Sequence, residues 1–457
     1  MVTFPRLFGT IVGVLVVLCA VFVFLTSSQG PRLSEVSISS RQVVELPNQQ
    51  LRFFANQPIA QVDEEQVTIT PEADFSVATD GDIISVQFDE RLRYGAEYTV
   101  TIDGVTNTFT DTATTFEHRF DTVDAELYYL DRADPAVGGD DVIMTSGIRG
   151  GSRSVVYSAP GIQDFEVVGG LLVVVSLEED RTSSMQLVSI DDLTVENIVL
   201  PVRGTIDRLD VAGDTGLMGF TLTSAIDAPE PRVNQLLYWM DLTGSHTVEP
   251  VLGIDGQPIE VMEWFFLPDG STTAVVHGDD LALSLIDPAS DTPGIPLGQY
   301  DGVESASPDG TTLVVSDIYS RLTLSLADGT EERIIAAPVE GQAPAGGDVQ
   351  LLGEGAERIQ QVAVLDEETG RFQSYIVADD GDAARVLYTS DDGRASIYGF
   401  AVSPNSQYLS VEITPDAASS VSDGYAMDPV TTTVTTVVID IESGQVVSSF
   451  DGFSLVW

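Results

Sequence analysis

Beyond residue 160 the chain repeats one pattern of hydrophobic and polar positions. A hydrophobic run is followed by a tight Gly/Asp turn, a second hydrophobic run, and a strand that ends in Asp near another turn. The clearest copies are Phe265-Phe266-Leu267-Pro268-Asp269-Gly270 and Ser307-Pro308-Asp309-Gly310, the latter running into Thr311-Thr312-Leu313-Val314-Val315. A looser copy, Ser403-Pro404-Asn405-Ser406, precedes Tyr408-Leu409-Ser410-Val411, and weaker ones sit at Val168-Gly169-Gly170, Gly213-Asp214-Thr215 and Gly353-Glu354-Gly355. Successive turns lie about 40 to 55 residues apart, the period of a four-stranded propeller blade. Stripes at helical spacing, which a helical solenoid requires, are almost absent.

The strands group in fours. One blade reads Phe165–Val168, Leu171–Leu177, Ser184–Ile190 and Val195–Leu200; the next reads Arg208–Val211, Leu217–Leu222, Gln235–Asp241 and Val248–Leu252. The first group has three strands only, Leu127–Leu130, Val142–Ser146 and Val155–Ser158, while a spare strand, Phe453-Ser454-Leu455-Val456-Trp457, ends the chain. Letting the tail complete the first group predicts a seven-bladed β-propeller over residues 123–457, with no open sheet edge.

Residues 33–122 alternate with period two in Gln66-Val67-Thr68-Ile69-Thr70, Ile83-Ile84-Ser85-Val86-Gln87-Phe88 and Glu97-Tyr98-Thr99-Val100-Thr101-Ile102, with Pro71, Gly81, Gly95 and Gly104 as breaks. This pattern predicts a β-sandwich. Phe54-Ala55-Asn56-Gln57-Pro58-Ile59, then Leu92-Arg93-Tyr94-Gly95-Ala96-Glu97-Tyr98-Thr99-Val100-Thr101-Ile102, then Phe116-Glu117-His118-Arg119-Phe120-Asp121-Thr122 resembles the bacterial Ig-like domain of surface-layer type. In that family an F-x-x-P opening, an L-x-x-G-x-x-Y-T strand and a closing F-x-T recur in this order. The match departs at its end, where Arg119–Thr122 reads R-F-D-T. The resemblance implies a spacer or adhesive module that presents the domain C-terminal to it. The Ser-Pro-Asp-Gly turns resemble the WD40-like repeat of the periplasmic TolB type, whose propeller relatives host binding, scaffolding and several chemistries, so fold alone does not give function.

Residues 7–25 are uncharged and apolar, and at 1.5 Å per residue would span about 28 Å, enough for a bilayer core. With residues 1–6, including Arg6, as a cytoplasmic tail and 26–32 as a linker, this predicts a single-pass signal anchor with the rest outside the cytoplasm. The alternative is secretion after cleavage near Ser28, where Thr26 and Ser28 are small. Cys19 is the one cysteine, so no intrachain disulfide forms.

The chain carries 71 acidic and 20 basic residues, a formal net charge of -51. Such a field repels phosphate backbones and excludes nucleic acid as a partner. A solvated, solubilising surface is the plain account of the acidity, with calcium or a cationic partner as the alternative. No EF-hand loop is present, and Asp379-Asp380-Gly381-Asp382 and Asp391-Asp392-Gly393 read as hairpin turns.

Catalytic signatures are missing. There is no Gly-x-Ser-x-Gly for a propeller-linked peptidase, and Ser390-Asp391-Asp392-Gly393 lacks the spacing and tryptophan of a sialidase box. His118, His246 and His277 do not fall at metal-ligand spacing and read as surface or turn residues. Trp239 and Trp264 read as core, and Trp457 as packing of the closing strand. No cofactor or metal is expected. A two-carboxylate glycan hydrolase remains open as an alternative, marked by carboxylates converging on the central channel, and a purely structural surface protein is another.

The longest irregular segments, Arg132–Asp140, Thr223–Asn234 and Thr414–Thr431, all fall between second and third strands, so they emerge on one face. They make Asp134, Asp140, Asp141, Asp227, Glu230, Asp416, Asp423 and Asp428 the candidate partner-binding residues. The sequence reads as an all-β, non-catalytic binding scaffold of the bacterial cell envelope, with a protein or glycan as partner.

Overall fold

The computed structural model describes residues 8–9, 12–17 and 30–457, apart from 109–111, 135–136, 291, 354–355, 367–369, 391–393 and 426–428. The chain divides into two compact units, Met1–Asp124 and Ala125–Trp457.

Residues 8–9 and 12–17 are helical and exposed. Among the described residues no helix is long and apolar enough to cross a membrane. This overturns the expected single-pass anchor over residues 7–25. Residues 7, 10–11 and 18–25 of that span lie outside the described residues. Cys19, Thr26, Ser28 and Asp391–Gly393 lie outside the described residues.

In the first unit a four-stranded sheet takes the order Leu33–Ser37, Gln50–Ala55, Ile83–Phe88, Phe75–Asp80, and a three-stranded sheet the order Val67–Thr70, Glu97–Val105, Thr114–Asp121. Alternation places Ile84, Val86 and Phe88 of one sheet and Tyr98, Val100 and Ile102 of the other in the core. Aromatic contacts bridge the two sheets, Phe88 to Phe120 at 6.4 Å and Phe53 to His118 at 6.3 Å between ring centroids, so the sheets pack face to face. Burial lowers the pKa of His118.

The second unit is a β-propeller. Its described residues form seven four-stranded antiparallel sheets, numbered here in chain order. Sheet 1 has its strands in the order Phe453–Val456, Glu126–Asp131, Asp141–Gly147, Ser154–Ala159, so the C-terminal strand takes the edge that the first strand takes elsewhere. The first strands of sheets 2 to 7 are Ile162–Val168, Gly204–Val211, Val261–Phe266, Gly302–Ala306, Ala345–Leu351 and Ser396–Val402.

The turn chemistry behind the sequence repeat joins first strands to second. In sheet 5 the Ser307 hydroxyl accepts the Thr312 N–H at 3.0 Å, Asp309 accepts the Thr311 N–H at 3.2 Å, and Gly310 takes φ +71°. Sheet 7 reproduces this with Ser403 accepting Tyr408 N–H at 2.9 Å, Asn405 accepting Gln407 N–H at 3.2 Å, and Ser406 at φ 56°. Short polar side chains at these positions satisfy the turn backbone locally.

First strands of neighbouring sheets are not paired by backbone, so side chains link them. Gln163 donates to Ile206 O at 2.9 Å; Asp210 accepts Phe266 N–H at 2.7 Å; Glu263 accepts Val303 N–H at 2.9 Å; Glu304 accepts Val349 N–H at 3.3 Å. Gln350 accepts Val402 N–H at 2.8 Å, and from the second strand of sheet 7, Tyr408–Thr414, Glu412 accepts Ser454 N–H at 2.7 Å, returning to the C-terminal strand. Each first strand carries a register shift. A bulge of this kind increases twist and re-aims side chains.

Candidate binding face of the propeller

Neighbouring strands are antiparallel, so second-to-third and fourth-to-first connections leave the propeller at the same end. Sheet 3 has second and third strands Leu217–Ser224 and Leu236–Asp241, sheet 5 has Thr312–Ser316 and Arg321–Ser325, and sheet 7 has Tyr408–Thr414 and Thr435–Asp440. Their connections, with residues 132–140 of sheet 1, build this end.

Two arginines hold the connections together. Arg132, whose side chain is 5% exposed, pairs with Asp423 of the sheet 7 connection and approaches Asp141 at 3.9 Å. Its guanidinium also donates to Ile162 O at 2.6 Å and lies 4.0 Å from the Tyr425 ring centroid and 4.8 Å from that of Phe453. Tyr425 in turn donates its hydroxyl to Asp141 at 3.1 Å. Burial first, then the Asp141 carboxylate, pushes the Tyr425 phenol up to about 12. Arg203 bridges Asp180 at 2.8 Å and Asp227, tying the sheet 2 and sheet 3 connections.

The eight candidate carboxylates therefore separate. Asp141 and Asp423 are buried beneath the loops as partners of Arg132, a correction to their expected place on a partner-facing surface; the arginine that neutralises them is what draws them in. Asp134, Asp140, Asp227, Glu230 and Asp416 are exposed, with Glu230 3.5 Å from Arg232. Asp428 lies outside the described residues.

What sequence reasoning missed is apolar. Val137, Ile226, Tyr319 and Val421 stand 82%, 92%, 86% and 64% exposed on second-to-third connections, with Ile318 beside Tyr319. Val199 and Leu252, also exposed, lie on fourth-to-first connections at the same end. At the opposite end, among the described residues, Leu193 is the exposed large apolar side chain in a connection. Asp317 accepts the Tyr319 and Ser320 N–H groups at 2.7 and 2.6 Å, forming the turn that turns Ile318 and Tyr319 outward. The available signal was an Ile-Tyr pair inside a polar turn, where a core residue has no place.

The first strands, and Glu412 on the second strand of sheet 7, carry the carboxylates that would mark a glycan hydrolase. Burial raises Asp210 to about 6 and, with Asp210 and Asp164 nearby, raises Glu166 well above the usual carboxylate range. Burial also raises Glu412, and Glu304 despite its Arg321 partner. The oxygens of Asp210, Glu263, Glu304 and Glu412 are engaged by backbone N–H groups of the neighbouring strand, so these groups act as links. Among the described residues, no group of three or more His, Cys, Asp or Glu side chains could hold a metal ion. His277, expected at a turn, is fully buried and donates Nε2–H to Tyr300 O at 2.9 Å, a correction that follows from its strand running on to Gly278. His246 sits at a surface turn 3.1 Å from Glu196, which raises its pKa.

These shifts fix a pH dependence. Between about pH 4 and 6 the folded state holds a proton on Asp210 that the unfolded state has lost, so stability falls as pH rises through that window. The contribution is about 3 kcal/mol. Turn carboxylates act oppositely: the Thr243 hydroxyl holds Asp241 below its usual pKa, and the Tyr319 N–H does so for Asp317, so their stabilisation is lost only as pH drops below about 4. Urea unfolding from pH 4.5 to 7.5 is expected to give a declining stability for the wild type and a flatter profile for Asp210→Asn. Parallel profiles would show that Asp210 is not the titrating group.

No protein-family model matches the sequence, and no curated protein matches it. Among solved structures the chain is similar to a putative TolB from Agrobacterium tumefaciens, at 14% identity over 72% of this chain and 89% of that one, with a TM-score of 0.35. It is similar to TolB from Acinetobacter baumannii at 12% identity, over 87% and 86% of the two chains, with a TM-score of 0.37. A structure described as one of two prolyl endopeptidases gives 9% identity over 84% of this chain and 50% of that one, with a TM-score of 0.48. Likenesses this distant carry no functional argument, and the architecture rests on the sheets themselves.

Proposed function

We propose that this chain is a non-catalytic binding scaffold: an Ig-like module over residues 33–122 followed by a propeller over 123–457, taken as seven blades closed by the C-terminal strand. The end formed by the second-to-third connections docks a protein partner. The observation that carries this reading is the exposure of Val137, Ile226, Ile318, Tyr319 and Val421 on connections at that end. Apolar tips on a rigid scaffold are anchors that become buried on binding. The exposed carboxylates Asp134, Asp140 and Asp416 on the same connections favour a partner that offers both apolar and basic groups, while Asp227 and Glu230 already face Arg203 and Arg232. The motif resemblance of the first module to surface-layer Ig-like domains supports a partner from the cell envelope. Engagement of the inner carboxylates by backbone N–H groups speaks against the rival hydrolase.

The test is a crosslinking pull-down from the native envelope with the wild type and an Ile226→Asp/Tyr319→Asp/Val421→Asp variant. These side chains are exposed, so the fold is expected to survive. Capture of a protein partner should drop about tenfold or more, the equivalent of one lost anchor, and should weaken with salt in the wild type. An unchanged set of captured proteins, or captured glycan alone, removes this face as a protein site. Turnover of cell-wall glycan by the purified chain would overturn the non-catalytic reading.

A further inference from the structure

The contact between sheets 5 and 6 is built unlike its neighbours. On one face of sheet 5, Leu313, Val315, Leu322 and Leu324 pack against Val275, Leu283 and Leu285 of sheet 4. On the other face the buried apolar contact shrinks to Val314 with Val349 and Leu351, and Ile334 beside them. Cross-strand register explains what replaces it. Thr312 pairs with Ser325, Val314 with Thr323, and Thr323 with Glu332, so a row of hydroxyls and one carboxylate faces sheet 6 where apolar residues would be expected.

A cleft of about 510 Å³ lies along this row, within the range typical of small-molecule sites. Its far wall includes Leu351 and Arg358, which pair across the first two strands of sheet 6. Arg358 is 6% exposed and is tied down by Asp379 at 2.9 Å, Ile335 O at 2.8 Å and Ala356 O at 3.1 Å. Its Nε–H has no partner. A buried donor left unmade is costly in a finished interior, and a ligand acceptor would satisfy it. Arg333 pairs with Leu322, on the face toward sheet 4, so Arg358 is the cation on the cleft side.

We propose that the cleft between sheets 5 and 6 binds a small sugar acid. The Thr323, Ser325 and Thr330 hydroxyls and Glu332 match sugar hydroxyls, Arg358 Nε–H matches the carboxylate, and Leu351 with Ile334 packs the apolar face of the ring. This site is separate from the loop end and does not depend on the partner assigned there.

The test is calorimetric titration of the full chain at physiological salt with glucuronate, glucose and inorganic phosphate. Glucuronate should bind about tenfold or more tightly than either comparison compound. Arg358→Lys keeps a charge for Asp379 but removes the Nε–H, and should weaken glucuronate by about tenfold. Should that variant not fold, Thr323→Leu, which fills the cleft from a partly exposed position, should produce the same loss while the melting transition stays cooperative. Absence of glucuronate binding, equal binding of glucuronate and glucose or of glucuronate and phosphate, or binding unchanged in Thr323→Leu would each overturn the proposal.

Discussion

Removing Phe453–Trp457 is expected to leave the propeller unable to melt as one cooperative unit. The lost strand supplies Phe453, buried with Leu130, Ile143 and Phe165, and Val456 packed against the same cluster. Trp457 stacks on Tyr408, with ring centroids 6.4 Å apart. Buried apolar side chains are each worth about 1.5–3 kcal/mol, so the packing loss alone reaches about 5 kcal/mol. The links between sheets add two further costs. The half-buried Glu412 loses the Ser454 N–H it accepts at 2.7 Å, and the strand Glu126–Asp131 becomes an open edge that invites aggregation. Thermal unfolding and gel filtration of the truncated chain measure both. A truncated protein that melts like the full chain and stays monodisperse would show that the C-terminal strand is dispensable.

Hairpins and turns were legible because their causes are local. Leu171–Leu177 is both the expected and the observed strand, set by alternation between two turns. First strands were read short. Phe165–Val168 begins at Ile162, and Arg208–Val211 begins at Gly204, because register shifts after Ile162 and Ile206 break the alternation that marks a strand. The candidate site was legible as a set of insertions but not as a surface. Composition could not say that Asp423 would meet an arginine 291 residues away, nor that the outward residues would be Ile226 and Tyr319, since a hydrophobic residue counts toward the core until its neighbours are known. The inner carboxylates were hidden by the same non-locality: each contacts the backbone of the next sheet, about a blade length away.

The links and the loop end meet at Arg132. Sheets 7, 1 and 2 come together there, through Asp423, Asp141 and Ile162 O, and the Phe453 ring of the closing strand lies against the same guanidinium. Arg132→Met keeps most of the side-chain volume but leaves Asp141 and Asp423, 5% and 0% exposed, as uncompensated buried carboxylates. Breaking a buried pair from one side costs about 3–5 kcal/mol, far more than the net worth of the intact pair. The variant is expected to lose that much in urea unfolding at pH 7. Adding Asp141→Asn and Asp423→Asn to it should return part of the loss, because the penalty comes from the stranded charges and not from the missing cation. Recovery in the triple variant would also restore the seating of the sheet 1 and sheet 7 connections, and with it partner capture through Val137 and Val421. A single variant as stable as the wild type, or a triple variant weaker than the single one, would show that the Arg132 cluster does not hold this end of the propeller together.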